Sequence, residues 1–338
     1  SAMNPLPQPI DVLEADGRPR LGFHASALAP FDVRTAEPEA SAGALWRATR
    51  HKRWVWLTLV TEQYLLALAV VHLGWGATAF VYVLDRRTRA MLMDRSYVGV
   101  PGGCSVSDGC EEGCEVRFRS LRCAIDLRRE RGSSSWRLEA RAHELTVCAS
   151  FDSEGAPGPI ATIGQVPDGG LHLTEKRVLM PVRGHLLVGE RFSRLEGAVC
   201  GFDYTQGMLA RRTRWRWAFC MGRSTDDRPV AFNLVEGFNG GRECAGWLDG
   251  QVAQLSPVKF AFERERPLAP WTMESEDGSV RLRFRADAVH AARLSIGPLR
   301  SDFLQPAGTF SGTLEVPGAH AATIVDAPGV AEYQDVVW

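Results

Sequence analysis

The segment GFDYTQGMLARRTRWRWA, which runs from Gly201 to Ala218, decides the fold of this chain. Its second half alternates with a period of two, the pattern of a β-strand whose two faces have different environments. One face carries Arg211, Thr213, Trp215 and Trp217, and the other carries Arg212, Arg214 and Arg216. We expect the tryptophan face to point inward and the arginine face outward. The segment therefore predicts a strand in the wall of a β-barrel.

Three polar residues precede this strand, namely Asp203, Tyr204 and Gln206, and Gly207 follows them. We expect them in a turn or at a strand end, because glycine closes many turns. In that position the Asp203 carboxylate either caps backbone N–H groups or, beside the Tyr204 phenol, supplies a proton to a ligand. The sequence leaves both interpretations open.

The rest of the chain repeats the strand pattern, so the predicted fold class is all-β. About twenty strand-like runs alternate with turns rich in glycine and proline, enough for two antiparallel barrels or sandwiches of about eight to ten strands each. We predict an extended arm over residues 1–40, a first β domain over 41–160 and a second β domain over 161–338. Helix is expected only at 41–51 and as a turn at 287–292.

Charge and hydropathy exclude two classes of partner. The formal net charge of the 338 residues is −1, which predicts no attraction to nucleic acid. The most apolar segment, 54–83, is interrupted by Glu62, Gln63 and His72, whereas a membrane helix needs about 20 consecutive apolar residues. We therefore expect no nucleic-acid partner, no membrane span and a cytoplasmic location. The sequence predicts no oligomeric state.

The chain has eight cysteines, which we expect to be reduced because the chain is long and shows no export signal. Cys110 and Cys114 have the spacing of one pair of zinc ligands. A structural zinc site needs a second such pair, and no pair of matching spacing is present in the sequence. We predict neither a metal nor another cofactor. Whether Cys104, Cys110 and Cys114 form a disulfide or a metal site stays open.

Several segments resemble a bacterial family known as domain of unknown function 2804. They are DYTQGMLARRTRWRWA (203–218), FNLVEGFNGG (232–241), LTEKRVLMPVRGHLLVGERF (173–192) and HKRWVWLTLVTE (51–62). The architecture of this family is similar to the paired lipocalin-like barrels of carotenoid hydratases and of fungal cyclases that bind polyketides. The resemblance implies two lipocalin-like antiparallel β-barrels or sandwiches packed side by side. It also implies an apolar cavity for one small ligand, in one barrel or between both.

The candidate catalytic residues are Asp203, Tyr204 and Glu236, each able to supply or relay a proton. Glu236 shares a strand face with Phe232 and Leu234. It is therefore either a buried acid with a raised pKa or, if the strand ends before it, a solvated one.

The candidate substrate-binding residues are Arg211, Trp215, Trp217 and Asn233. An inward-pointing Arg211 would orient Asp203 or bind a carboxylate of the ligand, whereas an outward-pointing one is ordinary surface charge. The two tryptophans either line a cavity or fill a core.

Two functions are consistent with these residues. The first is binding of an apolar small molecule with acid–base catalysis that needs no cofactor, as in a hydratase, an isomerase or a cyclase. The second is binding of a lipid or another small molecule without catalysis. A third, weaker interpretation is an interaction module with a filled core. The first requires Asp203, Tyr204 and Glu236 to meet at one enclosed apolar cavity.

Overall fold

A computed structural model describes residues 8–36, 43 and 49–338. Most of the segment 41–51, where a helix is predicted, lies outside the described residues. The described residues form 23 strands and two short 3₁₀ helices, Val33–Thr35 and Asn239–Gly241. The strands are β1 (Gly22–His24), β2 (His51–Val60), β3 (Tyr64–His72), β4 (Ala77–Asp85), β5 (Ala90–Val98), β6 (Cys104–Val106), β7 (Cys114–Arg119), β8 (Cys123–Arg129), β9 (Ser135–Ala142), β10 (Leu145–Asp152), β11 (Ile160–Gln165), β12 (Leu171–Val188), β13 (Arg191–Arg194), β14 (Val199–Met208), β15 (Arg212–Arg223), β16 (Pro229–Glu236), β17 (Ala245–Leu248), β18 (Gln251–Gln254), β19 (Val258–Ala261), β20 (Trp271–Ser275), β21 (Val280–Ile296), β22 (Leu299–Leu314) and β23 (Ala322–Val337).

The strands belong to two curled antiparallel sheets, each a lipocalin-like unit, as the sequence predicts. The first sheet has the order β5-β4-β3-β2-β14-β12-β10-β9-β8-β7-β6, and β11 pairs with β12 beside it. Strand β9 has one face on a core and the other in solvent, because its residues alternate between exposed and buried along its whole length. Its Trp136 packs against Phe151 and Phe202 inside the first unit.

The second sheet has the order β18-β17-β16-β15-β23-β22-β21-β20-β19. Its own core contains Phe232, Trp271, Phe284 and Phe310. Residues 287–292, predicted to form a helical turn, instead belong to β21, so that prediction is wrong. Their backbone groups pair with β22, and a bulge after Ala286 takes Asp287 out of the ladder.

The chain passes from the first sheet to the second between β14 and β15, at residues 209–211. The predicted boundary at 160 and 161 falls at the start of β11, which is still part of the first sheet. Glycines and prolines there mark the loop from β10 to β11, and such a loop looks the same in sequence whether it joins two strands or two domains.

The described part of the arm packs on the first unit. Strand β1 pairs with β11, and Val12, Leu28 and Val33 form a small apolar cluster with residues of β11 and β12. The Leu28 N–H also donates to Glu175 Oε2 at 3.0 Å. The arm therefore covers sheet residues that would otherwise be exposed.

Strand β14 lies between β2 and β12 and is paired with both along its length. Asp203, Tyr204 and Gln206 are therefore inside a central strand, and the expectation of a turn at these residues is wrong. Because side chains alternate along a strand, Tyr204 points into the core of the first unit while Asp203 points toward the second unit. This alternation separates two neighbours that the sequence suggested would act together.

Candidate functional site

A cavity of about 140 Å³ lies between the two units. Its walls come from β2, β3, β4 and β5 of the first sheet and from β15, β21, β22 and β23 of the second. Five tryptophans line it: Trp54, Trp56, Trp215, Trp217 and Trp338. Neither unit alone forms these walls, so the cavity depends on how the two units pack.

The tryptophans form two contacting groups across the interface of the units. Trp54 of β2 stacks on Trp215 of β15, with ring centroids 5.8 Å apart and planes within 8°. Trp56 meets Trp217 edge to face at 4.7 Å. The predicted tryptophan face of β15 therefore lines the cavity, and its arginines 212, 214 and 216 point away, where they pair with Asp335 and Glu236.

A buried ion pair lies on the floor of this apolar cavity. Lys176 of β12 and Asp203 of β14 are directly opposite in the antiparallel register, and Lys176 Nζ is 2.6 Å from Asp203 Oδ1. The hydroxyls of Thr174 and Thr205 donate to the same oxygen, at 3.2 and 3.3 Å. The side chains of Lys176 and Asp203 are only 4% and 8% exposed, so water screens the pair little.

Glu243 adds a second carboxylate beside this single ammonium. Its Oε2 is 3.9 Å from Lys176 Nζ. Burial raises the pKa of Glu243, and the nearby Asp203 raises that pKa further, although Lys176 opposes both effects. Two acids that share one cation in a buried site favour a state in which one of them keeps its proton. Glu243 therefore carries a proton at pH values where an exposed glutamate has lost it.

His172 completes the cluster on the Glu243 side. Its Nδ1 is 3.8 Å from Glu243 Oε1, too far for a hydrogen bond, and has no hydrogen-bond partner among the described residues. Burial lowers the pKa of His172 to about 3, and Lys176 lowers it as well. The imidazole is therefore neutral near pH 7 and can accept or donate one hydrogen bond. We call Lys176, Asp203, Glu243 and His172 the floor cluster.

Glu332 of β23 is another acid on the cavity wall. Its two oxygens accept hydrogen bonds from Trp215 Nε1 and Gln305 Nε2, each at 2.6 Å. Gln305 in turn accepts from Tyr82 Oη and Trp56 Nε1. Burial raises the pKa of Glu332 to about 7, even though both donors lower it. A carboxyl with this pKa exchanges protons readily at neutral pH.

Glycine at 164 allows the loop that carries Glu243 to pack closely. A Cβ on Gly164 would lie 2.2 Å from Asn239 Oδ1, which no side chain could tolerate without movement. Asn239 has a positive φ of 57° and its amide lies 3.5 Å from Glu243 Oε1. The contact between β11 and this loop thus helps to place Glu243 on the cavity floor.

The structure brings together only some of the residues predicted from the sequence. Asp203, Trp215 and Trp217 line the cavity, and Asn233 lies behind it, where it accepts from Trp217 Nε1 and donates to the Glu243 carbonyl. The other three residues lie elsewhere. The Tyr204 hydroxyl donates to the Ser107 carbonyl, Glu236 accepts from Arg216 and the Phe260 N–H, and Arg211 donates to the Trp338 carbonyl.

Sequence reasoning missed His172, Lys176, Glu243 and Glu332. Lys176 had a signal, since it is one of three lysines in a chain whose cations are otherwise arginines. Glu243 follows Glu236 by seven residues in the same segment. The Gly-rich turn between them makes the direction of the Glu243 side chain unpredictable from the sequence. Glu332 lies in the segment GVAEYQ (329–334), and only the pairing of β23 with β15 reveals its neighbours.

No group of three or more His, Cys, Asp and Glu side chains suited to a metal ion occurs within residues 8–36, 43 and 49–338. The sulfurs of Cys110 and Cys114 are 3.2 Å apart and are not bonded. In the same described ranges, no helix is long and apolar enough to cross a membrane.

Fold and site together define a two-unit lipocalin-like protein with a tryptophan-lined cavity between its units. The chain belongs to the family described as "Domain of unknown function (DUF2804)", whose model matches residues 4–338. No curated protein matches the sequence.

Solved structures share the fold at low sequence identity. CghA, crystallised with Sch210972, is 12% identical with a TM-score of 0.52, and the match covers 96% of each chain. Kievitone hydratase from Nectria haematococca is also 12% identical with a TM-score of 0.52, over 94% of this chain and 98% of that one. Identity at this level shows a common architecture of two paired units.

Proposed function

We propose that the protein binds an apolar small molecule in the cavity between its units and catalyses an acid–base reaction on it without a cofactor. The observation that carries the proposal is the floor cluster, in which a buried ammonium and two carboxyl groups face a cavity lined by tryptophans. Burying charges is costly, and fold stability alone is served as well by apolar residues. The reaction class is hydration, isomerisation or cyclisation.

Asp203, Tyr204 and Glu236 do not meet at the cavity, so Tyr204 and Glu236 have no catalytic role in this proposal, and Glu243 is the proton donor in their place. Its raised pKa lets it hold a proton to higher pH than an exposed glutamate does, and its carboxyl lines the cavity. Asp203, held by Lys176 and two threonine hydroxyls, supplies a fixed negative charge that stabilises a cation forming on the ligand. The faces of Trp215 and Trp217 favour the same cation. Neutral His172 orients water or a polar group of the ligand through Nδ1, which has no partner among the described residues.

The solved relatives support the reaction class by analogy only. One carries the name of a hydratase and another was crystallised with a bound compound. Transfer of either property to this chain is part of the proposal, because a shared fold permits many activities. The cytoplasmic location expected from the sequence also stays a prediction.

Binding without catalysis is the alternative, and one observation favours it. Asp203 Oδ1 already accepts from Lys176, Thr174 and Thr205, so this oxygen is satisfied within the protein. A carboxylate held in this way can be purely structural. In that case the cavity would retain its ligand unchanged.

The test uses the ligand that copurifies with the protein from its own host, identified by native mass spectrometry and then extracted. The extracted ligand is incubated with fresh protein in D2O. Catalysis predicts uptake of deuterium or of one water by the ligand. Glu243→Gln should slow this uptake by about 100-fold or more, whereas Glu236→Gln, a matched change outside the cavity, should not. Binding with no change of ligand mass would support the alternative, and failure to find any ligand would contradict both.

A further inference from the structure

A second polar pair joins His290, which lines the cavity apart from the floor cluster, to Asp94 behind it. Asp94 belongs to β5 of the first unit and His290 to β21 of the second. His290 Nδ1 is 2.5 Å from Asp94 Oδ1, a charge-assisted contact across the interface of the units. The pair therefore fixes the imidazole relative to both sheets.

The rest of the His290 ring is enclosed by aromatic side chains. The ring lies 4.5 Å from Phe80, 5.7 Å from Tyr82 and 5.8 Å from Phe303, measured between centroids. His290 is 2% exposed. Phe80, Phe303 and His290 all line the cavity. On one side the imidazole contacts the Asp94 carboxylate, whose side chain is 34% exposed to solvent. On its other sides it contacts aromatic rings.

His290 Nε2 is buried and has no hydrogen-bond partner in the part of the chain that the structure describes. Leaving a buried polar atom unpaired is costly, so such atoms usually have a partner in the working protein. In the tautomer whose Nδ1–H donates to the Asp94 carboxylate, the Nε2 of a neutral imidazole has a lone pair that accepts a hydrogen bond. Nε2 has almost no accessible surface, but His290 lines the cavity, so a donor on a ligand bound there reaches Nε2 once the neighbouring rings move aside.

We propose that the Asp94–His290 pair binds a hydroxyl group of the ligand, with the hydroxyl donating to His290 Nε2. The surrounding rings of Phe80 and Phe303 suit a hydroxyl attached to an aromatic or conjugated system, such as a phenol. The ligand class is then an apolar molecule with a hydroxyl at one end, and its reacting carbon lies near the floor cluster. This inference rests on the proposed function in one respect, which is that the cavity takes an apolar ligand.

The experiment compares 2-naphthol with naphthalene, which differ only in the hydroxyl. Binding is followed by quenching of tryptophan fluorescence, because five tryptophans line the cavity. We expect wild-type protein to bind 2-naphthol about five to ten times more tightly than naphthalene, the effect of one hydrogen bond to a buried acceptor. In His290→Phe this ratio should fall to about one. His320→Phe, the same change at an exposed histidine, should keep the wild-type ratio.

A second measurement needs no substitution at His290, in case the variant fails to fold. The ¹⁵N resonance of His290 Nε2 in wild-type protein should shift on titration with 2-naphthol and stay in place with naphthalene. Equal binding of both probes, or a preference for 2-naphthol that survives His290→Phe, would overturn the hydroxyl site and leave the proposed cavity function intact. If neither probe binds wild-type protein, the hydroxyl site and the apolar cavity function both fail.

Discussion

Lys176 and Asp203 face each other across adjacent antiparallel strands, with Nζ and Oδ1 2.6 Å apart at the floor of an apolar cavity. The pair is nearly inaccessible to water, so each charge depends on the other. Lys176 also faces Glu243, and removal of the ammonium would leave two buried acids without a cation.

We therefore expect Lys176→Met to lower the free energy of unfolding by about 3 to 5 kcal/mol. The double variant Lys176→Met with Asp203→Asn should lose less than the sum of the two single losses, because the uncompensated charge is gone. Urea unfolding at pH 7 measures all three. Lys259→Met serves as the control, since its ion pair with Glu276 is exposed and should contribute less than about 1 kcal/mol. Additive losses at 176 and 203 would show that the pair is not coupled.

The acid Glu332 should make stability depend on pH. Burial raises its pKa from 4.5 in the reference state to about 7 in the folded protein, so the folded state holds the proton more strongly than the unfolded chain. The resulting stability is complete below pH 4.5 and is lost as pH rises through about 7, to a total of about 3 kcal/mol.

Glu332→Gln removes this titration. The difference in unfolding free energy between wild type and Glu332→Gln should therefore shift in favour of the variant as pH rises from 4.5 to about 7. Denaturant titrations at a series of pH values measure the difference. Glu315→Gln, at an exposed position, should give a difference that does not vary with pH. A constant difference for Glu332→Gln would mean that its carboxyl titrates normally.

A larger side chain on β21 can fill the cavity, and the neighbouring residue on the same strand provides a control. Ala292 of β21 lines the cavity, and its neighbour Ala291 is exposed. Ala292→Phe should weaken binding of an apolar probe such as naphthalene by about tenfold or more, because its ring occupies the space that the probe needs. Ala291→Phe should bind as wild type does. Equal effects of the two changes would place the probe outside the cavity.

A substitution at Tyr204 distinguishes a structural role of this side chain from a catalytic one. Its hydroxyl donates to the Ser107 carbonyl at 2.8 Å, on the opposite face of β14 from Asp203. Tyr204→Phe should cost about 1 kcal/mol of stability through the lost hydrogen bond. Turnover of the copurified ligand should be unchanged. A large loss of turnover without loss of stability would return Tyr204 to the catalytic role that the sequence first suggested.

The all-β class and the inward face of β15 could be predicted because a period of two is visible within a single strand. The position of Asp203 could not, since a glycine four residues later indicates a turn in the sequence alone. In the folded chain Gly207 is inside β14, where a Cβ would lie 2.9 Å from Leu209 Cδ2. Close packing explains this glycine better than a turn does.

The residues that contact Asp203 could not be predicted from the sequence for a different reason. Lys176 opposes Asp203 only because β12 and β14 pair in one particular register, and a slip of one residue would turn every side chain to the other face. Glu332 reaches the cavity through the pairing of β23 with β15, two segments far apart in sequence, and Glu243 reaches it from the loop before β17. Local patterns carry no information on such contacts, so the acidic part of the site appears only in three dimensions.

The position of the cavity between two sheets has a thermodynamic consequence. A molecule bound there contacts both sheets at once and stabilises only the arrangement in which they are together. Ligand binding should therefore couple the melting of the two halves. Calorimetric unfolding that is broad or biphasic in the empty protein should sharpen to one cooperative transition when the cavity is occupied, with a midpoint that rises with ligand concentration.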